Sequence, residues 1–183
     1  MIYRGALNHG EPPCSTAWRG IPRSVILKEV TIYTDGACQG NPGPGGFGVV
    51  LLYQGHRREL SGGFRRTTNN RMELRAAVEG LSSLKEKCKV TLHTDSEYVA
   101  NAINQGWALR WQKNGWMRNK KDKAVNPDLW EKLLQQCGQQ EVRFVWVRGH
   151  AGNPENERCD QLAVEAGAQP NLPADVIYER DSR

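Results

Sequence analysis

At 183 residues, 38% of them hydrophobic, the chain has the length and apolar content for one domain with its own core. Its net charge of +5 is concentrated: Trp107 to Ala124 holds Arg110, Lys113, Arg118, Lys120, Lys121 and Lys123 against Asp122 alone, and such a basic stripe on a neutral body points to a polyanionic partner. No apolar run approaches the roughly 20 residues of a membrane span, no signal-peptide centre opens the chain, and the five cysteines (14, 38, 88, 137 and 159) are odd in number and lack CxxC spacing, so membrane, secreted and zinc-site classes are set aside for a cytoplasmic protein.

Residues 1–26 carry Gly5, Gly10, Pro12, Pro13, Gly20 and Pro22 without periodicity and read as an irregular arm, with Trp18 as its natural anchor. A strand is expected from about Val25 to Asp35, where β-branched and aromatic residues alternate. The turn Asn41-Pro42-Gly43 follows, then a strand from about Phe47 to Gln54 and another from Arg57 to Arg66. The connections are too short for a crossover, so these three strands form an antiparallel meander.

Thr68 is placed to cap a helix reaching about Lys87, with Leu74, Ala77, Val78, Leu81 and Leu84 on one face. Val90 to Asp95 is a fourth strand, and Ser96 caps a short helix through Ile103. Beyond the basic stripe, Asn126-Pro127-Asp128 opens a helix that ends near Cys137-Gly138. Val142 to Val147 is a fifth strand, and Asn153-Pro154 opens a last helix to about Ala166. The domain is set at 27–167, and 168–183, with its prolines and mixed charges, reads as a loose tail.

Two strands end alike. Val30-Thr-Ile-Tyr-Thr-Asp35 is matched by Val90-Thr-Leu-His-Thr-Asp95. Side by side and parallel, strands lie roughly 5 Å apart, so Asp35 and Asp95 would emerge together at the carboxyl ends, where open α/β sheets bind ligands. Two carboxylates so close repel unless a proton or cation intervenes, and a metal is the expectation.

Glu73 and Asp160 each border the apolar stripe of a helix, and either alone reads most simply as an ordinary helix acid. His150, in the loop Arg148-Gly-His-Ala-Gly-Asn153, could be structural or could move protons beside the acids. Gly43 to Gly48 spells GxGxxG, but a strand follows instead of a helix, so a dinucleotide fingerprint is rejected. Trp107, Trp111 and Trp116 interleave with the cations, as suits a groove for a nucleic-acid backbone, although some must pack on the body.

From about Leu27 to Ala166 the chain resembles the type 1, bacterial-type ribonuclease H family. The matching pieces are Thr34-Asp-Gly with Gly40-Asn-Pro-Gly-Pro-Gly-Gly46, Thr68-Asn-Asn-Arg-Met-Glu-Leu74, Thr94-Asp-Ser96 and Gly149-His-Ala-Gly-Asn-Pro-Glu-Asn-Glu-Arg-Cys-Asp160, in family order. The resemblance implies an α/β fold with a five-stranded mixed sheet, three strands antiparallel and two parallel, and helices on both faces. It implies hydrolysis of the RNA strand of RNA–DNA hybrids, giving 5′-phosphate and 3′-hydroxyl ends. Asp35, Glu73, Asp95 and Asp160 would hold two Mg²⁺ ions, with Mn²⁺ able to substitute, and His150 would assist turnover.

The resemblance further implies that Cys38, Asn41, Asn69 and Asn70 read the minor groove. Residues 107–124 would be the basic handle, and Thr68, Trp111, Lys113, Trp116, Arg118, Lys120, Lys121, Lys123 and Asn126 complete the substrate contacts of a monomeric enzyme. Where the family often has Gln after Asp-Ser, this chain has Glu97, which when ionised only accepts hydrogen bonds. Two rival readings are a different two-metal nuclease on the same fold and a non-catalytic hybrid-binding module. The handle and the Asn69-Asn70 pair oppose the first, and the full set of four acids opposes the second.

Overall fold

The computed structural model describes residues 27–182. The expectations for the arm, Trp18 included, fall on 1–26 and lie outside the described residues. A five-stranded mixed sheet in the order β3-β2-β1-β4-β5 frames the molecule. β1 (Lys28–Cys38), β2 (Gly43–Tyr53) and β3 (His56–Thr67) are antiparallel neighbours, while β4 (Cys88–Thr94) and β5 (Glu141–Trp146) continue parallel to β1.

One face carries α1 (Asn69–Ser82), α2 (Glu97–Asn104), α3 (Trp107–Lys113) and α4 (Pro127–Gln139). Their apolar sides meet Val30, Ile32, Val90 and Leu92 in one core with Met72, Leu74, Leu81, Leu129, Trp130 and Leu133, each contributing about 1.5–3 kcal/mol by burial. The other face is covered over its antiparallel half by α5 (Pro154–Gly167), where Val50 packs with Cys159 and Leu162. On that face His93 and Tyr33 stack at 4.5 Å between ring centroids.

The glycines of the second strand explain the rejected dinucleotide motif. A Cβ on Gly46 would lie 2.3 Å from the Ala163 carbonyl oxygen, and one on Gly48 would lie 2.1 Å from that of Cys159. These glycines let α5 settle onto the sheet backbone. They also explain why β2 begins at Gly43 and not near Phe47: glycine is a poor strand former, but close helix approach outweighs propensity here.

Two expectations are corrected. α1 ends at Ser82, not near Lys87, because the chain must turn from Ser83 onward to enter β4 at Cys88. The tail is not loose. Residues 168–182 fold back, with a short α6 (Val176–Asp181) preceded by Asp175, which is 2% exposed. The Arg65 amide donates to the Pro173 carbonyl (2.9 Å), and Arg65 pairs with Glu179. Arg71 reaches Asp175 through Nε (2.8 Å) and Nη2 (2.9 Å) and stacks over Tyr178. A buried guanidinium needs such partners, and removing one from a buried pair costs about 3–5 kcal/mol.

Candidate active site

The parallel register pairs Val30 with Val90, Ile32 with Leu92 and Thr34 with Thr94, so Asp35 and Asp95 follow at one level of the sheet. Asp35 is 7% exposed, and the Gly36 amide donates to its Oδ1 at 2.6 Å. Burial first, and then the charge of Asp95, push the Asp35 carboxyl up to about 8, with Asp160 and Glu73 adding to the push. Asp35 therefore feels all three other acids.

Glu73 and Asp95 are each held by neighbours. Asn69 Nδ2 donates to Glu73 Oε1 at 2.9 Å, and the Ser96 hydroxyl donates to Glu73 Oε2. Burial raises the Glu73 carboxyl above its ordinary range despite these two bonds. Asn156, one turn before Asp160 on α5, donates from Nδ2 to Asp95 Oδ2 at 3.3 Å. The Trp146 indole donates to the Asp95 carbonyl at 3.0 Å. Gly149 brings the loop after β5 so near that a Cβ there would lie 2.8 Å from Asp95 Oδ2.

Among the described residues no three His, Cys, Asp or Glu side chains close into a ready metal cage. Asp35 stands within electrostatic reach of the other three acids, while Glu73 and Asp95 are tethered to amides and a hydroxyl. An all-oxygen, acid-rich set fits a hard divalent cation such as Mg²⁺, and the crowding that raises Asp35 is the charge such a cation would neutralise.

His150 is exposed on the loop leading to α5, in the left-handed region at φ 50°, and makes no hydrogen bond or ion pair with a described residue. The reader residues gather at the start of α1. Thr68 Oγ1 accepts from the Arg71 amide (3.4 Å) as the cap, Asn41 Oδ1 accepts from the Asn69 amide (3.3 Å), Asn70 is exposed, and Cys38 lies between the Gly43 and Thr67 carbonyls.

The basic stretch becomes α3 and a turn closed by a Met117–Lys123 bridge. Lys113, Arg118, Lys120, Lys121 and Lys123 are exposed and Trp116 is half-buried. Trp111 is largely core: 7% exposed, it meets Trp130 edge-on at 5.7 Å and stacks on Tyr98 at 6.2 Å. Tyr98, Trp107, Arg110, Trp111, Asn114 and Arg118 line a groove of about 370 Å³ beside the handle. Asn126, 8% exposed at φ 60°, opens α4 and accepts from Arg71 Nη1 at 3.3 Å.

Sequence reasoning misses Ser96 and Asn156 as tethers of the acids, and Tyr98 as a groove wall beside the expected Trp107. Asn156 is findable, since it lies four residues before Asp160 on the same helix face. Ser96 reads from sequence only as a cap, which it also is.

The RNase H family profile matches residues 27–168. The chain belongs to the ribonuclease H family. With that membership comes its class of enzyme, an endoribonuclease. It is 71% identical over 154 residues to a Ribonuclease H of Desulforamulus reducens, covering 84% of this chain and 97% of that one. It is 58% identical over 145 residues to the Ribonuclease HI of Synechocystis sp., covering 78% and 91%. Among solved structures it is similar to LC9-RNase H1, a type 1 RNase H with the type 2 active-site motif, at TM-score 0.69 and 32% identity, covering 86% of this chain and 82% of that one. It is also similar to LC11-RNase H1 in complex with RNA/DNA hybrid, at TM-score 0.58 and 27% identity, covering 75% and 95%. The sheet order and the helices on both faces are those expected of a ribonuclease H fold.

Proposed function

We propose that this ribonuclease H hydrolyses the RNA strand of RNA–DNA hybrids with two Mg²⁺ ions held by Asp35, Glu73, Asp95 and Asp160, leaving 5′-phosphate and 3′-hydroxyl ends. The observation that carries the reading is Asp35: a buried carboxyl at a strand end, pushed up to about 8 by burial and by three other acids. When bound, the ions supply Lewis-acid stabilisation and an activated water. Ser96, Asn69 and Asn156 fix the carboxylates that would receive them. His150, exposed at the rim, is free to swing toward the departing strand and carry a proton.

Substrate choice follows from the groups at the start of α1. Asn41, Asn69 and Asn70, with the turn beside Cys38, are short polar groups next to Glu73 and Asp35, suited to the wide minor groove and 2′-hydroxyls of an A-like strand. The strand they read is the strand that reaches the acids. The Thr68 cap and Asn126 offer donors for a phosphate of the other strand, and the exposed lysines of the handle grip the backbone. Among the described residues no helix is long and apolar enough to cross a membrane, and Cys38, Cys88, Cys137 and Cys159 are free thiols, which supports a reducing, cytoplasmic setting. We place the enzyme there as a monomer.

The test is a panel of end-labelled hybrid, RNA duplex and DNA duplex of one sequence with Mg²⁺. RNA-strand cleavage in the hybrid alone is expected. Equal rates on hybrid and RNA duplex, or any cut in DNA, would refute the reading. Hybrid binding without cleavage would favour a non-catalytic module.

A further inference from the structure

We propose that Asp175, in the segment after α5, is a positioning residue for the hybrid-binding face, acting through Arg71 on the Asn126 amide. The inference rests on the hybrid reading above and adds a residue far from the acids in sequence.

Arg71 lies on α1 between Asn70 and Met72, with a side chain 3% exposed. Asp175 takes Nε at 2.8 Å and Nη2 at 2.9 Å, and Asp175 Oδ2 also accepts from the Thr67 hydroxyl at 3.0 Å. Asp128 takes the other edge, Nη1 and Nη2 each at 2.9 Å. The guanidinium is clamped between two carboxylates, and Nη1 retains one direction, toward Asn126 Oδ1 at 3.3 Å.

Guanidinium only donates, so Arg71 admits only the oxygen of the Asn126 amide and turns its NH₂ away. That NH₂ is buried and has no partner among the described residues, on a residue 8% exposed that opens α4 in the left-handed conformation. A buried donor without an acceptor carries a cost that an arriving acceptor removes. The acceptor chemistry that suits it is a phosphate oxygen of the hybrid, and the same Asp175 holds Thr67, the residue before the α1 cap Thr68. Asp175 thus sets the orientation of a donor on α4 and braces the entry to α1. Without it the guanidinium can pivot and the Asn126 amide can flip, presenting oxygen to phosphate.

The experiment compares Asp175→Asn, Asp175→Ala, Asn126→Ala and the double variant Asp175→Ala/Asn126→Ala in the full chain, well below each melting temperature. Asp175→Ala and Asn126→Ala should each raise KM for hybrid about tenfold, the worth of one charge-assisted hydrogen bond, with kcat little changed. In Asn126→Ala the log–log salt slope should keep its wild-type value, because a neutral amide that meets a phosphate releases no counterion. The double variant should be no worse than either single one. Asp175→Asn, which keeps one acceptor, should fall between. A lower melting temperature with wild-type KM in both Asp175 variants would overturn the role, as would additive losses in the double variant or failure of both variants to fold. A wild type inert toward hybrid would instead sink the functional reading beneath it.

Discussion

A Cβ on Gly36 would lie 2.2 Å from the backbone nitrogen of Glu73. Gly36 directly follows Asp35 and turns toward α1, while Asp35 turns toward α5. The glycine therefore sets the spacing between the two acids: α1 can approach β1 only because this position has no side chain.

Gly36→Ala should push α1 away from the sheet. Overpacking of this kind costs about 1–3 kcal/mol, which for a domain of this size is a fall in melting temperature of roughly 2–12 °C. Cleavage should fall more than hybrid binding does, because Glu73 moves while the handle stays in place. A thermal melt and a kcat measurement on the variant check this. Wild-type kcat would show that the contact serves packing alone.

The sheet is legible in the sequence because its signals are local. Val30 to Asp35 and Val90 to Asp95 alternate with period 2 and end alike, and that match is the observed register. The resemblance to the family then picks out the acids, and the structure gathers Glu73, Asp95 and Asp160 within electrostatic reach of Asp35. What does not show is long-range. Asp175 sits in a segment without periodicity, and its partner Arg71 is 104 residues away, so nothing near it marks a buried ion pair. The end of α1 is hidden because Leu84 continues the helical spacing of Leu81 after the helix has stopped. β2 reads short because its glycines follow the needs of α5 and not strand propensity.

Neutralising Lys120, Lys121 and Lys123 to alanine should raise KM far more than it lowers kcat. All three are exposed on the turn after α3 and would supply binding that is equal in ground and transition states. Removing each lysine that pairs with a phosphate should flatten the log–log salt slope by about 0.9, on the B-DNA scale. Steady-state kinetics between low and moderate salt make the measurement. A slope equal to wild type would remove these residues from the interface.

Ser96→Ala should separate two roles of one hydroxyl. The oxygen caps α2 by accepting from the Val99 amide at 3.4 Å, and it donates to Glu73. Loss of a cap costs about 1 kcal/mol of stability. Loss of the bond to Glu73 frees that carboxylate to turn, so a larger Mg²⁺ concentration should be needed for half-maximal rate. Ser96→Thr keeps both roles and should recover the metal dependence. An unchanged Mg²⁺ titration in Ser96→Ala would reduce Ser96 to a cap.

Asp35→Asn should nearly abolish cleavage, leave hybrid binding intact and stabilise the metal-free protein above neutral pH. The folded carboxyl is pushed up to about 8, first by burial and then by Asp95, against an ordinary value of 3.8. The sign follows directly. A carboxyl raised on folding favours the folded state in its protonated form, so its favourable contribution is complete below about pH 4 and is lost as the pH rises toward 8. Asparagine keeps the shape and never ionises. The melting temperature of metal-free wild type should therefore fall from pH 5 to pH 8 relative to the variant, by about 5 °C for an effect of a kcal/mol or two. Adding Mg²⁺ at pH 8 should raise the wild-type melting temperature, since a cation that binds only the folded site stabilises it, and should move the variant much less. Thermal melts of both proteins across that pH range, with and without Mg²⁺, decide the matter. Equal pH profiles would show that Asp35 is not the strained acid of the site. Cleavage within tenfold of wild type would remove it from the catalytic set.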